Sequence, residues 1–228
     1  MRCWCVVPAA GHGKRFGSEM PKQYMPLAGQ PLLVRTLERL AAHVRIAGLM
    51  VVLAPGDGLW PAIGHIDGKP VSTATGGAER ADSVLAGLRA LPDDVGEHDF
   101  VLVHDAARPC VRATDIDRLI EVAGRAEGGL LGAPLRDTLK RADPQGQCIG
   151  TESREARWRA FTPQMFRRGA LTGALQAALE QGIAITDEAM AMERSGIQPV
   201  LVEGAEDNIK VTTRADLALA AFLLSRTA

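Results

Sequence analysis

Residues 3–24 read CWCVVPAAGHGKRFGSEMPKQY, an apolar run that opens into a glycine-rich, cationic loop. Cys3 to Val7 are too few for a helix and fit a buried strand. Gly11, Gly13 and Gly17 lack a Cβ, so the backbone after that strand can approach a bound group closely. Lys14, Arg15 and Lys22 add positive charge to the same loop, opposed only by Glu19. A backbone cradle carrying cations suits phosphate.

The apolar pattern of the opening strand recurs. Gly48 to Ala54 (GLMVVLA) and Phe100 to His104 (FVLVH) are continuous apolar runs of the kind that parallel sheets bury on both faces. Pro70 to Thr75, Gly129 to Leu135, Trp158 to Thr162, Pro199 to Glu203 and Asn208 to Val211 read as further strands. Between them lie stretches of helical period: Pro31 to His43 with Pro31 in the first turn, Glu79 to Leu91, a helix capped by Thr114 and running to Ala126, Gly169 to Gln181, a short helix from Asp187 to Ser195, and Thr213 to Arg226. A short helix is also expected around Trp60. Strands alternating with helices predict an α/β fold: one Rossmann-like, doubly wound, mainly parallel sheet. Arg136 to Arg157 breaks the pattern, being polar and turning at Pro144 and Gly146, and reads as a β-hairpin arm projecting from the sheet. An isolated hairpin is marginal in water, so the arm is expected to pack on another surface, such as a second subunit. The expected organisation is a single domain over 1–228 with this arm at about 136–157.

Composition narrows the function classes. The 228 residues are 46% hydrophobic and 23% charged, ordinary values for a globular protein with a substantial core. The net charge is −1, yet residues 1–56 hold seven Lys/Arg against two Asp/Glu. This asymmetry suits local capture of a small anion; it does not suit the broad basic surface that nucleic acid requires. No apolar run has the length of a membrane span, and the N-terminus has no signal-peptide pattern, so a cytoplasmic location is expected. Cys3 and Cys5 share one face of a strand, Cys110 and Cys148 are isolated, and no His/Cys cluster has zinc spacing, so reduced thiols are expected.

Asp105 follows the FVLVH strand. In open α/β sheets ligands bind beyond the carboxyl ends of the strands, so Asp105 is aimed at the rim occupied by the opening loop. The loop lacks the G-x-x-x-x-G-K-[ST] of nucleoside triphosphatases and the G-x-G-x-x-G of dinucleotide enzymes.

The motifs taken together carry more. Pro8-Ala9-Ala10-Gly11 with Arg15, then Pro21-Lys22-Gln23-Tyr24, Arg80-Ala81-Asp82-Ser83-Val84, His104-Asp105-Ala106-Ala107-Arg108-Pro109, Thr186-Asp187-Glu188 and Asp207-Asn208-Ile209-Lys210-Val211-Thr212 resemble, in order and across almost the whole chain, the motif series of the 2-C-methyl-D-erythritol 4-phosphate cytidylyltransferase family. The resemblance implies a CTP-dependent transferase that moves CMP from CTP to 2-C-methyl-D-erythritol 4-phosphate and releases pyrophosphate, in non-mevalonate isoprenoid precursor synthesis. Another polyol phosphate, such as ribitol 5-phosphate, is the alternative acceptor. The resemblance implies that Arg15 and Lys22 stabilise the pentacoordinate transition state, with Lys14 a further triphosphate contact. Ala9, Ala10 and Gly11 would surround the nucleotide through backbone groups, and Gly77 with Ser83 would select cytosine. Asp105 and Arg108 would bind the acceptor sugar, while Arg154 and Lys210 hold its phosphate for in-line attack. Thr138 and Arg154 lie on the arm, which in this family reaches into the neighbouring subunit of a homodimer. Magnesium is implied by the triphosphate, its protein ligands left open with Asp105 the best placed carboxylate. His12 and His104 are expected to pack or to hydrogen-bond. The sequence departs from the family at Ala78, where an acidic residue is frequent.

Overall fold

A computed structural model describes residues 1–11 and 20–226. In chain order the strands and helices are β1 (Cys3–Pro8), β2 (Pro26–Leu27), β3 (Gln30–Pro31), α1 (Leu32–Ala41), β4 (Ile46–Leu53), β5 (His65–Ile66), β6 (Lys69–Thr75), α2 (Arg80–Arg89), β7 (Phe100–Val103), α3 (Ala113–Ala123), β8 (Gly128–Pro134), β9 (Leu139–Ala142), β10 (Cys148–Glu152), β11 (Trp158–Arg167), α4 (Arg168–Glu180), α5 (Glu188–Arg194), β12 (Val200–Glu203) and α6 (Arg214–Ser225).

Eight strands form one sheet in the order β12-β8-β11-β7-β1-β4-β6-β5. The pairs β1–β4, β1–β7, β4–β6 and β8–β12 are parallel, whereas β11 runs antiparallel to both of its neighbours and β5 antiparallel to β6. The sheet is thus mainly parallel, as the alternation of strands and helices implied. Its chain order reverses beside β1: the path moves outward through β4 and β6, then returns to place β7 on the other flank. A crevice opens at such a reversal, outside the carboxyl ends of the strands.

The continuous apolar runs are buried on two sides because helices cover both faces. Cys3, Cys5 and Val7 of β1, with Leu49 and Val51 of β4, join Leu33, Leu37, Ile116 and Leu119 of α1 and α3. Val6, Met50 and Val52 point the other way and join Val84, Leu88, Leu171 and Leu175 of α2 and α4. The period-two alternation of strand side chains divides one apolar string between two cores. Helix α2 lies so near the sheet that a Cβ on Gly87 would stand 2.6 Å from Val6 Cγ1 and 2.7 Å from Val52 Cγ2. A smaller core under α6 collects Leu27, Leu32, Val211 and Ala220.

The hairpin expected between 136 and 157 is present as β9 paired antiparallel with β10, and no residue of either strand is buried. Several expectations are corrected. No helix forms around Trp60: residues 57–64 lack regular structure, because Asp57 turns the chain locally by accepting from Leu59 N at 2.9 Å, and Trp60 packs on the core as part of a loop. Residues 208–211 are not a strand. They make no ladder, but Val211 N donates to Ala107 O at 2.8 Å and Asn208 is fully buried, so the segment is anchored beside the end of β7. Pro31 is the N-cap of α1 rather than a member of its first turn. The N-cap of α3 is Arg112 and that of α5 is Asp187, whose carboxylate accepts from Met190 N.

Candidate active site

The C-terminal end of β1 supplies the floor of a cleft. After Pro8 the chain leaves the sheet, and Gln23 holds it in place: the buried Gln23 Nε2 donates to Ala9 O at 2.8 Å. One turn before, Lys22 enters the 3-10 turn Lys22–Tyr24 and donates from Nζ to Val211 O at 3.1 Å. Lys22 therefore ties the opening loop to the segment that carries Lys210.

The opposite wall is the loop between β6 and α2. Ser83 Oγ accepts from Gly77 N at 3.3 Å and donates to Glu79 O at 3.2 Å, and Asp82 accepts from Glu79 N at 3.0 Å. These bonds fold the loop tightly onto the start of α2. A Cβ on Gly77 would lie 2.4 Å from Asp82 Cβ, so only glycine fits there without a shift. Ala9, Ala10, Gly11, Lys22, Gly77, Ser83, Asp105 and Lys210 all line this cleft, with Ala78 on the same wall.

A second cleft adjoins the first. Its lining includes Arg108, Phe161, Thr186 and Asp187, and it shares Arg80, Asp105 and Lys210 with the first. The shared wall is a charge cluster. Lys210 Nζ lies 2.7 Å from Asp105 Oδ2, Arg80 Nε lies 3.0 Å from Asp105 Oδ1, and Arg108 Nε lies 3.8 Å from Oδ2. Arg80 also forks onto Glu188, with its two terminal nitrogens 2.6 and 3.1 Å from the two carboxylate oxygens. Burial pushes the Asp105 carboxyl up, but the charges of Arg80, Lys210 and Arg108 outweigh it and hold Asp105 ionised, far below the usual carboxylate range. Three cations face two carboxylates, and the surplus positive charge looks into the second cleft.

Behind Asp105 runs a buried polar chain. Its backbone N–H donates to Thr162 Oγ1 at 3.0 Å, and that oxygen lies 3.1 Å from His104 Nδ1. His104 Nε2 lies 3.0 Å from Arg108 O, and a carbonyl can only accept, so Nε2 carries the proton. Burial lowers the His104 pKa to about 4, against a partial upward pull from that bond, so Nδ1 is the free acceptor for the Thr162 hydroxyl at neutral pH. Arg108 donates to Asn208 O at 2.6 Å and lies over the Phe161 ring at 5.1 Å, while Asn208 Nδ2 donates to Thr162 O at 2.8 Å. The Arg108 Nε atom is buried with no hydrogen-bond acceptor, which leaves a donor pre-positioned beside the cleft.

Among the described residues no group of three or more His, Cys, Asp or Glu is placed to hold a metal ion. Asp105, the carboxylate best placed in sequence, has both oxygens engaged by cations. The described side chains therefore do not fit a resident magnesium site.

Residues 3–226 match the sequence profile described as "IspD: 2-C-methyl-D-erythritol 4-phosphate cytidylyltransferase". The chain belongs to the 2-C-methyl-D-erythritol 4-phosphate cytidylyltransferase family. A curated relative with the same name from Stenotrophomonas maltophilia (strain R551-3) is 59% identical over 227 residues, covering 99% of this chain and 97% of its own. Another, from Xanthomonas euvesicatoria pv. vesicatoria (strain 85-10), is 59% identical over 216 residues, 94% of this chain and 82% of its own. Among solved structures, the 2-C-methyl-D-erythritol 4-phosphate cytidylyltransferase of Francisella tularensis superposes with a TM-score of 0.84 at 31% identity, covering 98% of this chain and 100% of that one. The described residues of the cytidylyltransferase motifs quoted above gather about the two clefts at one rim of the sheet. Lys14 and Arg15 lie outside the described residues. Thr138 and Arg154 sit exposed on the arm, lining neither cleft; Arg154 donates to Arg136 O within its own arm. Arg80 and Glu188, the hinge of the charge cluster, fell inside two of the quoted motifs, yet neither received a role from sequence. Only the fold brings residues 80 and 188 together.

Proposed function

We propose that this chain transfers CMP from CTP to 2-C-methyl-D-erythritol 4-phosphate, giving 4-diphosphocytidyl-2-C-methyl-D-erythritol and pyrophosphate. The observation that carries this reading is the shared wall: a nucleotide-sized cleft and an anion-suited cleft meet at Arg80, Asp105 and Lys210. Such a junction brings two negatively charged reactants within bonding distance, which is the main difficulty of the reaction.

In the reaction a non-bridging oxygen of the acceptor phosphate attacks the α-phosphorus of CTP. A new P–O bond forms, the bond to the β-phosphate oxygen breaks, and pyrophosphate leaves with the electron pair. The acceptor phosphate is already ionised near neutral pH, so no strong general base is needed. Charge compensation is needed, and preorganised cations provide it. Lys22, at the end of the cleft nearest Lys210, stabilises charge at the α-phosphate, together with Arg15. Lys14 is a further triphosphate contact. Backbone groups of Ala9, Ala10 and Gly11 hold the nucleotide, and the Gly77 loop with Ser83 reads the base. Asp105 and Arg108 bind the acceptor's hydroxyl-bearing part, and Lys210 takes its phosphate. A divalent cation brought in with the triphosphate would neutralise part of its charge, leaving the rest to Lys22, Arg15 and Lys14.

Thr138 and Arg154 complete the acceptor site from a second copy of the chain, through the arm, in a homodimer. Their exposure, and their absence from the lining of both clefts of their own chain, support that arrangement. No described helix is long and apolar enough to cross a membrane, in keeping with work on two small polar substrates. The test is phosphorus NMR of the protein with CTP, magnesium and the acceptor. Paired diphosphate-diester signals with free pyrophosphate are expected. Faster turnover of ribitol 5-phosphate than of 2-C-methyl-D-erythritol 4-phosphate overturns the acceptor assignment.

A further inference from the structure

We infer that Arg80 and Glu188 form a positioning pair that fixes the Asp105 carboxylate for the acceptor, a role that rests on the proposed binding of the acceptor by Asp105. Arg80 is the first residue of α2, and its long side chain crosses to the start of α5. There it meets Glu188, whose side chain is only 1% exposed. Two parallel N–H···O bonds fix the plane of the guanidinium, and its Nε–H donor is thereby aimed at Asp105 Oδ1. Lysine could not do this, because its ammonium is a compact charge with freely rotating donors and no rigid planar fork.

Glu188 is itself held rigidly. The buried Gln164 of β11 accepts from Ala189 N at 2.7 Å through Oε1 and donates from Nε2 to Asp187 Oδ2 at 3.0 Å. Asp187 in turn caps α5 by accepting from Met190 N at 3.0 Å. One side chain of the sheet thus clamps both flanks of Glu188. The relay runs from β11 through α5 and α2 to Asp105, and each link is a directed hydrogen bond.

Two consequences follow for the acceptor. With Oδ1 committed to Arg80, the Asp105 carboxylate cannot turn, so Oδ2 becomes the face open to a hydroxyl once Lys210 moves to a phosphate. Glu188 also cancels the charge of Arg80. Without that cancellation Arg80 would compete with Lys210 for the incoming phosphate and seat it on the wrong wall. Arg80 and Glu188 therefore act through Asp105 and not on the reacting atoms.

The experiment is a double-mutant cycle of Glu188→Gln and Asp105→Asn, with steady-state constants measured separately for acceptor and CTP. Glu188→Gln is expected to raise the acceptor KM about tenfold and to leave the CTP KM within about twofold. In the Asp105→Asn background the same change should add less than about twofold, because the carboxylate it positions is gone. Full multiplication of the two effects overturns the pair's role, as does an equal rise in both KM values. An unchanged acceptor KM in Asp105→Asn overturns the underlying reading of Asp105, and the positioning role with it. Arg80→Lys keeps the half-buried positive charge but loses the fork, and it decides the matter if Glu188→Gln does not fold. The same acceptor-selective rise is expected there, and a wild-type acceptor KM refutes the inference.

Discussion

Lys22 shows how a single side chain can join two halves of a site. Its ammonium group reaches Val211 O, one residue past Lys210, so the cation proposed for the α-phosphate is tied to the segment proposed to hold the attacking phosphate. Lys22→Ala is expected to lower kcat by roughly 10²- to 10³-fold while the CTP dissociation constant changes by less than about fivefold, since compensation is needed only where charge develops. Single-turnover rates beside equilibrium titration separate the two effects. His104 yields a prediction of another kind. It is fully buried and neutral in the folded chain, with its pKa lowered by burial from 6.5 to about 4. Between those two values the unfolded chain binds the extra proton and the folded chain does not. Stability from this group is therefore complete above pH 6.5 and declines as the pH falls to about 4, by roughly 3 kcal/mol. Urea unfolding at pH 7 and pH 4.5 should show the decline, and His104→Gln should flatten it.

At the scale of elements, the loop between β6 and α2 is tightly constrained on one wall of the first cleft, the one proposed to take the nucleotide. Gly77→Ala places a methyl group against Asp82 Cβ, so the loop must shift or the Asp82 bond to Glu79 N must break. The CTP KM is expected to rise about tenfold with the acceptor KM little changed, and initial-rate measurements at varied CTP will show it. The strands were legible because an apolar run bounded by Gly and Pro has few alternatives, and Cys3 to Val7, Gly48 to Ala54 and Phe100 to His104 all lie within strands or within a residue of them. Helix faces were equally legible: Val84, Leu85, Leu88 and Leu91 are all buried. Segments whose shape is set by single long-range bonds were not legible. Residues 208–211 look like a strand by composition, but one bond to Ala107 and the buried Asn208 give them a fixed extended path without a partner strand. Asp105 was legible by position at a strand end. The state of its carboxylate was not, because it depends on Arg80 and Lys210, which approach from distant parts of the chain to join the nearby Arg108.

For the whole molecule, the arm and the clefts pose a question of assembly. Thr138 and Arg154 line neither cleft of their own chain, and the proposed acceptor site therefore draws on a second copy. Arg154→Ala is expected to raise the acceptor KM by at least tenfold with little change for CTP. Mixing it with Lys22→Ala chains should create one heterodimer site with both wild-type residues, restoring up to about half of wild-type activity per such dimer. Verified heterodimers with no recovery would count against a shared site.

The exposed ladder of β9 and β10 has a further consequence. A two-stranded ribbon with no buried face can open without disturbing the eight-stranded sheet from which it springs. In a dilute, dissociated sample its amides should exchange with deuterium almost as fast as those of a free peptide, and a protease should nick the chain there first. As the protein concentration rises, the homodimer proposed above should make both liabilities fade for residues 139–152 while the amides of β1, β4 and β7 stay slow throughout. The hairpin then serves as a built-in gauge of assembly.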